Sequence, residues 1–391
     1  MRSIWVVTLV VLGGLGTARA DDAVDYIKDA KLFYRVVACR GSDPLPPGID
    51  TATVDKHCAE QNKRYEALEK RYLKPAAEFF APLRPAKLPT TVVYAFGGGD
   101  LMSALLTYPD AREITTISLE HAGDPTRLAG LDKPRLAVAL QAYRDASSGL
   151  LTLHDSTSEN MRKLEKGGIP GQLSFHITGM AVMGYEPVSL KFFKLNTDGT
   201  LHYYTQTEIE ALAKSIAKKV KYGWVDTDFS EAFNNMELTI RKAGDPKAPL
   251  IVHRHFAANL ANKPFVDTGL EKHLVAKGKI AALTKAASYL IHDDGFTKVR
   301  DYLLANMVWM PSDSTGIDPR AAKKAGFEQV TYGAYKGAFL KEANVDVANA
   351  MMKLWSSQPY RKLPFRYGYP DSDSNIHLMI TQPASPPEPK K

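Results

Sequence analysis

Hydrophobic positions along the chain fall into two alternating kinds of run. In the first, apolar residues recur at helical spacing: Tyr65, Leu68, Tyr72, Phe79 and Phe80 are separated by three, four and seven positions, which predicts a helix from Lys56 onward. Pro75 is expected to kink or end it, and the prolines at 82, 85 and 89 lead into an extended segment. In the second kind, β-branched residues run together and stop at turn formers. Thr91 to Phe96 ends at Gly97-Gly98-Gly99, and Ile114 to Leu119 ends at Glu120. Between them Leu101 to Tyr108 reads as a short helix, with Asp100 as its N-cap and Pro109 as its stop. Before all this, residues 23–37 read as a short helix or strand, followed by a Pro/Gly-rich loop from Gly41 to Gly48.

Helical patterns follow at 132–147, 157–166 and 170–184, the last rich in glycine and methionine. Strict alternation then appears. Val188 to Leu195, a turn at Asp198-Gly199, and Leu201 to Thr205 predict a β-hairpin. Thr207-Glu208-Ile209-Glu210 is expected as the capping box of an amphipathic helix on Ile209, Leu212, Ile216 and Val220. Met236 to Arg241 and Leu250 to Phe256 predict a second hairpin. Strand–helix alternation resumes with Ala286 to His292 as an apolar strand, Phe296 to Ala305 as a helix and Met307 to Met310 as a strand. Val330 to Tyr335, a helix over 345–356 and Ile376 to Thr381 complete the order.

These runs predict an α/β fold: a mostly parallel, open, Rossmann-like sheet flanked by helices over 91–382, with a hairpin-rich antiparallel insertion at 186–256. Residues 21–90 are expected as an N-terminal helical cap, and 383–391 as a disordered, Pro-rich tail. The first twenty residues stand apart. Arg2, the apolar run Ile4 to Leu15 and Ala18-Arg19-Ala20 match a secretory signal cleaved after Ala20. A periplasmic or secreted protein is therefore expected, with no transmembrane segment after cleavage, since no later run is long enough to span a bilayer. Losing Arg2 and Arg19 takes the net charge from +7 to +5. That mild excess carries no basic patch interleaved with aromatics, so nucleic acid is not expected as a partner. The two cysteines, Cys39 and Cys58, are nineteen positions apart, and in an oxidising compartment they are expected to form a structural disulfide tying the loop to the helix.

A glycine-terminated strand, an acid-terminated strand, later strand–helix–strand alternation and a closing pair of strands resemble the core of S-adenosylmethionine-dependent methyltransferases. The resemblance covers about residues 90–125 and 280–381. It implies a ligand site at Gly97, Gly98 and Gly99, with Glu120 holding ribose hydroxyls; Asp100, next in the chain, is a further candidate for that site. Val93 to Phe96 has no carboxylate where that family carries an acid before its glycines. The chain also resembles exported bacterial proteins of unassigned function, through Tyr94 to Asp100, Ala286 to His292 and Asp313 to Ile317.

The expected function is that of an exported, non-catalytic protein on a methyltransferase-like scaffold, binding an unknown small molecule or an envelope component. No particular cofactor is implied. The alternative is a secreted hydrolase or other acid–base enzyme. Asp313, His292 and Asp293 are its candidate catalytic residues, joined by Glu120 at the C-terminal edge of the sheet, where open α/β sheets place functional groups. His253 and His255, two apart in a strand, face the same way at a spacing used by zinc sites but lack a third local ligand, so no metal is expected there. The chain lacks GxSxG, HExxH, P-loop and EF-hand signatures.

Overall fold

A computed structural model describes residues 23–152, 164, 167–213, 230–337, 340–341, 344–367 and 376–384. The leader, most of the helix expected at 157–166, Ile216, Val220 and the tail beyond 384 lie outside the described residues.

The organising element is a ten-stranded mixed sheet. In chain order its strands are β1 Thr91–Ala95, β2 Glu113–Ser118, β3 Tyr185–Leu195, β4 Leu201–Tyr203, β5 Asn235–Lys242, β6 Ile251–Ala257, β7 Ile280–Leu283, β8 Met307–Ser312, β9 Phe327–Gly333 and β10 His377–Pro383. Across the sheet they run β4-β3-β5-β6-β2-β1-β7-β8-β10-β9. The five central strands, β6-β2-β1-β7-β8, are parallel. β3, β4 and β5 extend one side antiparallel, and β10 closes the other by pairing antiparallel with both β8 and β9.

Helices cover both faces. They are α1 Ile27–Val36, α2 Thr51–Leu68, α3 Lys74–Phe80, α4 Leu101–Thr107, α5 Lys133–Thr152, α6 Gly171–Val182, α7 Gln206–Ala213, α8 Asn262–Asp267, α9 Leu270–Val275, α10 Thr297–Asn306, α11 Pro319–Lys324 and α12 Val345–Ser356. Because side chains alternate along a strand, each central strand feeds two cores. Val92, Tyr94, Ile114, Leu283 and Trp309 join the core under α1–α6. Val93, Ala95, Ile117, Ala282 and Met310 join the one under α8–α11. A third, smaller cluster seats α12 through Val347, Met351 and Trp355 against Met379. Strands buried on both faces are near-continuously apolar, which is why Thr91–Ala95 and Ile280–Leu283 show no polar alternation.

Several boundaries move from their expected places, each for a local reason. The strand expected at Ala286–His292 is Ile280–Leu283, and Ala287–His292 is a 3-10 turn, because the chain reverses at Ala286 with φ of 59°. The capping box sits two residues earlier than expected: Thr205 N donates to Glu208 Oε2 (2.9 Å) and Glu208 N to Thr205 Oγ1 (3.4 Å). Pro75 does not end the helical run. A π-helical stretch over Glu69–Leu73 changes its pitch just ahead of the proline, the second residue of α3. β6, within the stretch expected as insertion, belongs to the parallel centre through its register with β2. The expected disulfide is present, with a Cα–Cα distance of 5.3 Å across Cys39–Cys58. No helix among the described residues is long and apolar enough to cross a membrane.

Candidate functional site

From β1 the chain crosses one way to reach β2 and β6, and the other way to reach β7 and β8. The crossover direction therefore reverses between β1 and β7, and the carboxyl ends of those strands are where open α/β sheets place a ligand crevice. Both strands end in strained backbone there. Phe96 has φ of 62° and Ala286 of 59°, a region that side chains beyond glycine occupy at a cost of about 1–3 kcal/mol each.

The glycine turn lies against the protein's own side chains. A Cβ on Gly97 would lie 2.6 Å from Cγ of Tyr94, and one on Gly99 would lie 2.8 Å from Cβ of Phe175 and 3.1 Å from Oε1 of Gln172. Asp100 caps α4 as expected, accepting from Ser103 N at 3.2 Å. It also accepts from the Tyr94 hydroxyl (3.0 Å) and from Lys285 Nζ (2.8 Å). Lys285 follows β7 by two residues and is buried. Its ammonium donates to Ser103 Oγ (3.2 Å), which shares a bond with the Tyr72 hydroxyl (3.0 Å), and it lies 5.2 Å from the Tyr367 ring centroid. Burial alone would lower the Lys285 pKa. Asp100, with Tyr72 and Asp313, reverses that, and the group is held well above its ordinary value as a cation. Burial, then Asp100, pushes Tyr94 far up, so its hydroxyl stays protonated and donating.

Asp313 is fully buried. One carboxylate oxygen accepts from Ala286 N (2.9 Å) and the other from Thr315 N (2.9 Å) and the Thr315 hydroxyl. It thus fastens the strained turn after β7 to the turn after β8. His292 is near this loop, with Asp318 and Thr315 as neighbours, and burial lowers its pKa to about 4. Asp293 turns outward: it is exposed and accepts from Gly295 N (2.6 Å) as the cap of a 3-10 turn. Asp294 is exposed too. Glu120 is half-buried at the end of β2, 3.5 Å from Gln172 Nε2, which also donates to Ser118 Oγ (3.0 Å). β1 and β7 separate β2 from β8, three strand spacings or about 14 Å. Glu120 and Asp313 therefore stand at opposite ends of the crevice, with Lys285, Asp100 and Tyr94 between them.

His253 and His255 do face the same way, and the fold supplies a third imidazole from α6. The His176 ring lies 4.4 Å from His253 and 5.2 Å from His255, centroid to centroid, and all three are fully buried. Their protonation follows from their partners. His255 Nε2 meets the Glu120 carbonyl (2.8 Å) and must donate, so Nδ1 accepts from the Thr116 hydroxyl (3.2 Å). That hydroxyl in turn accepts from His253 Nε2 (2.9 Å), leaving Nδ1 of His253 without a partner, as are both nitrogens of His176. Burial, followed by the neighbouring imidazoles, drives His176 and His253 far down, and burial takes His255 to about 4; the three rings are neutral. Their hydrogen bonds run to Thr116 and the backbone rather than toward one common point.

Sequence reasoning did not single out Lys285, Tyr72, Tyr367 or His176. For Lys285 a signal existed, a lone basic residue straight after a run of small apolar ones. The other three come from segments whose approach only the fold specifies. A surface groove of about 490 Å³, lined by Arg127, Leu131, Pro134, Arg135 and Val138 among others, includes none of the crevice side chains. Compared with known proteins, the chain matches no family model, no curated relative and no solved structure.

Proposed function

We propose that the protein is an exported, non-catalytic binding protein built on a Rossmann-like, methyltransferase-like scaffold whose ligand crevice is closed by its own side chains. The sheet supports the scaffold. With β3, β4 and β5 set aside, five parallel strands remain whose crossover direction reverses between β1 and β7, and an antiparallel strand lies between β8 and β9. One observation supports the non-catalytic reading: Asp100, next to the glycine turn, is paired with Lys285 and bonded to Tyr94, and Lys285 lies against the Tyr72 and Tyr367 rings. Asp100 adds a negative charge at the N-terminus of α4, where an anionic ligand group would otherwise be favoured. With the crevice closed, binding to an envelope component falls to the outer surface.

The hydrolase alternative requires carboxylates and an imidazole around one reacting atom. The separation of Glu120 from Asp313, and the outward turn of Asp293, speak for the binding reading. A thermal-shift screen of the mature protein with S-adenosylmethionine, its demethylated product, nucleotides and sugars tests it. A crevice ligand at about one hundred times its dissociation constant would add about 2.7 kcal/mol. No shift is expected from any of them, and a saturable shift with S-adenosylmethionine would overturn the proposal. N-terminal sequencing of envelope-fraction protein should begin at Asp21; a cytoplasmic protein that keeps Met1 would refute export.

A further inference from the structure

The N-terminal staple contains a third group beside its two sulfurs. Cys39 follows α1 in a turn with φ of 58°, while His57 and Cys58 are consecutive on α2. One ligand atom from each of Cys39, His57 and Cys58 lies within 4.8 Å of the other two, and among the described residues this is the only group of metal-binding side chains that converges so closely. His57 is fully buried. Its Nε2 meets the Val37 carbonyl (3.0 Å) and so carries the proton, which leaves the lone pair on Nδ1. Nδ1 accepts from Arg144 Nη1 (3.1 Å), whose guanidinium is also paired with Glu60 (3.0 Å). Arg144 therefore keeps an anchor if it releases the imidazole. Cys58 is partly exposed, which leaves its sulfur open to an attacking thiol.

As a disulfide the pair has no thiolate to offer a metal. A dithiol reductant changes this: it is oxidised to its own disulfide as Cys39 and Cys58 each become a thiol, and each thiol then releases a proton on binding a cation. Two thiolates and an imidazole make a soft three-ligand set suited to d¹⁰ cations such as copper(I), or zinc and cadmium with water as a fourth ligand. We propose that the Cys39–His57–Cys58 staple is a redox-gated metal site, a covalent cross-link when oxidised and a thiophilic-cation site when reduced. The cation would then replace the lost bond in holding the end of α1 to α2.

The test titrates Cd²⁺ into the mature chain after dithiol reduction and anaerobic desalting. One equivalent should bind with thiolate-to-cadmium charge-transfer absorption, and the oxidised chain should show none. The Cys39→Ser/Cys58→Ser chain should lose the band. His57→Ala should weaken binding at least about tenfold, since even outer partners of metal ligands are worth ten- to hundredfold. Far-UV circular dichroism checks that each form is folded, and His57→Gln, whose amide can still donate to the Val37 carbonyl, replaces the alanine variant if that one is not. A folded, reduced chain without the absorption, or a folded His57 variant that binds as tightly as the parent, would overturn the proposal.

Discussion

Acidification offers a severe test of the interior, because four histidines, His57, His176, His253 and His255, are fully buried. An unfolded chain protonates each near pH 6.5. In the folded protein burial lowers His57 and His255 to about 4 and pushes His176 and His253 far down. Around the cluster, Arg254 lowers His253 further, while at His255 the Glu120 carbonyl and carboxylate favour the charge and His121 opposes it, and burial outweighs them. The sign follows from linkage. Between about pH 4 and 6.5 the unfolded state binds protons that the native state refuses, so stability is whole above that window and falls as pH drops through it. Each group costs about 1.4 kcal/mol per pH unit once its unfolded form is charged. From about pH 7.5 to 5.5 that is about 1.3 kcal/mol per histidine, or about 5 kcal/mol for these four, to which His273 and His292, also lowered to about 4 by burial, add, against a usual total of roughly 5–15 kcal/mol. Urea unfolding followed by tryptophan fluorescence at these two pH values should show the midpoint collapsing with little change in slope. His176→Phe, which replaces an imidazole whose nitrogens lack partners, should remove about 1.3 kcal/mol of that loss. A midpoint that stays put between the two pH values would refute neutral, buried rings.

Three further outcomes probe the crevice and the staple. Lys285→Met leaves Asp100 as an uncompensated buried charge and should cost about 3–5 kcal/mol in urea unfolding. Adding Asp100→Asn, which keeps a capping side chain, should recover part of that loss. Gly99→Ala pushes a methyl against Phe175 and Gln172 and should cost about 1–3 kcal/mol by thermal unfolding, whereas Gly130→Ala, with nothing within 4 Å, should not. Without added metal, Cys39→Ala/Cys58→Ala should lower the unfolding free energy by about 3 kcal/mol, the loop-closure value for a separation of 19.

The parts of the fold legible in sequence are those where one local pattern decides. Val345–Ser356 has a strong helical period and an Asn344 cap, and its bounds match the expectation. The Cys39–Cys58 bond needed only an oxidising compartment and an even cysteine count. β7 was not legible. Four residues, Ile280–Leu283, are too few to show a period, and the apolar stretch beyond them is a turn fastened by Asp313, a residue 27 positions from its partner Ala286. The crevice divided in the same way. Gly97 to Gly99 and Asp100 marked its place, because a turn and a cap are local. What fills it arrives from afar: Lys285 is 185 positions from Asp100, and Tyr72 and Tyr367 come from opposite ends of the chain. His176 likewise meets His253 and His255 only because α6 packs on the sheet.

If the Lys285–Asp100 pair and its tyrosines close the crevice between β1 and β7, S-adenosylmethionine has no site there. Isothermal titration of the mature protein with S-adenosylmethionine should then give no saturable heat up to millimolar ligand. A one-to-one isotherm, abolished by a bulky substitution at Gly98, would show an open cofactor site and contradict that closure.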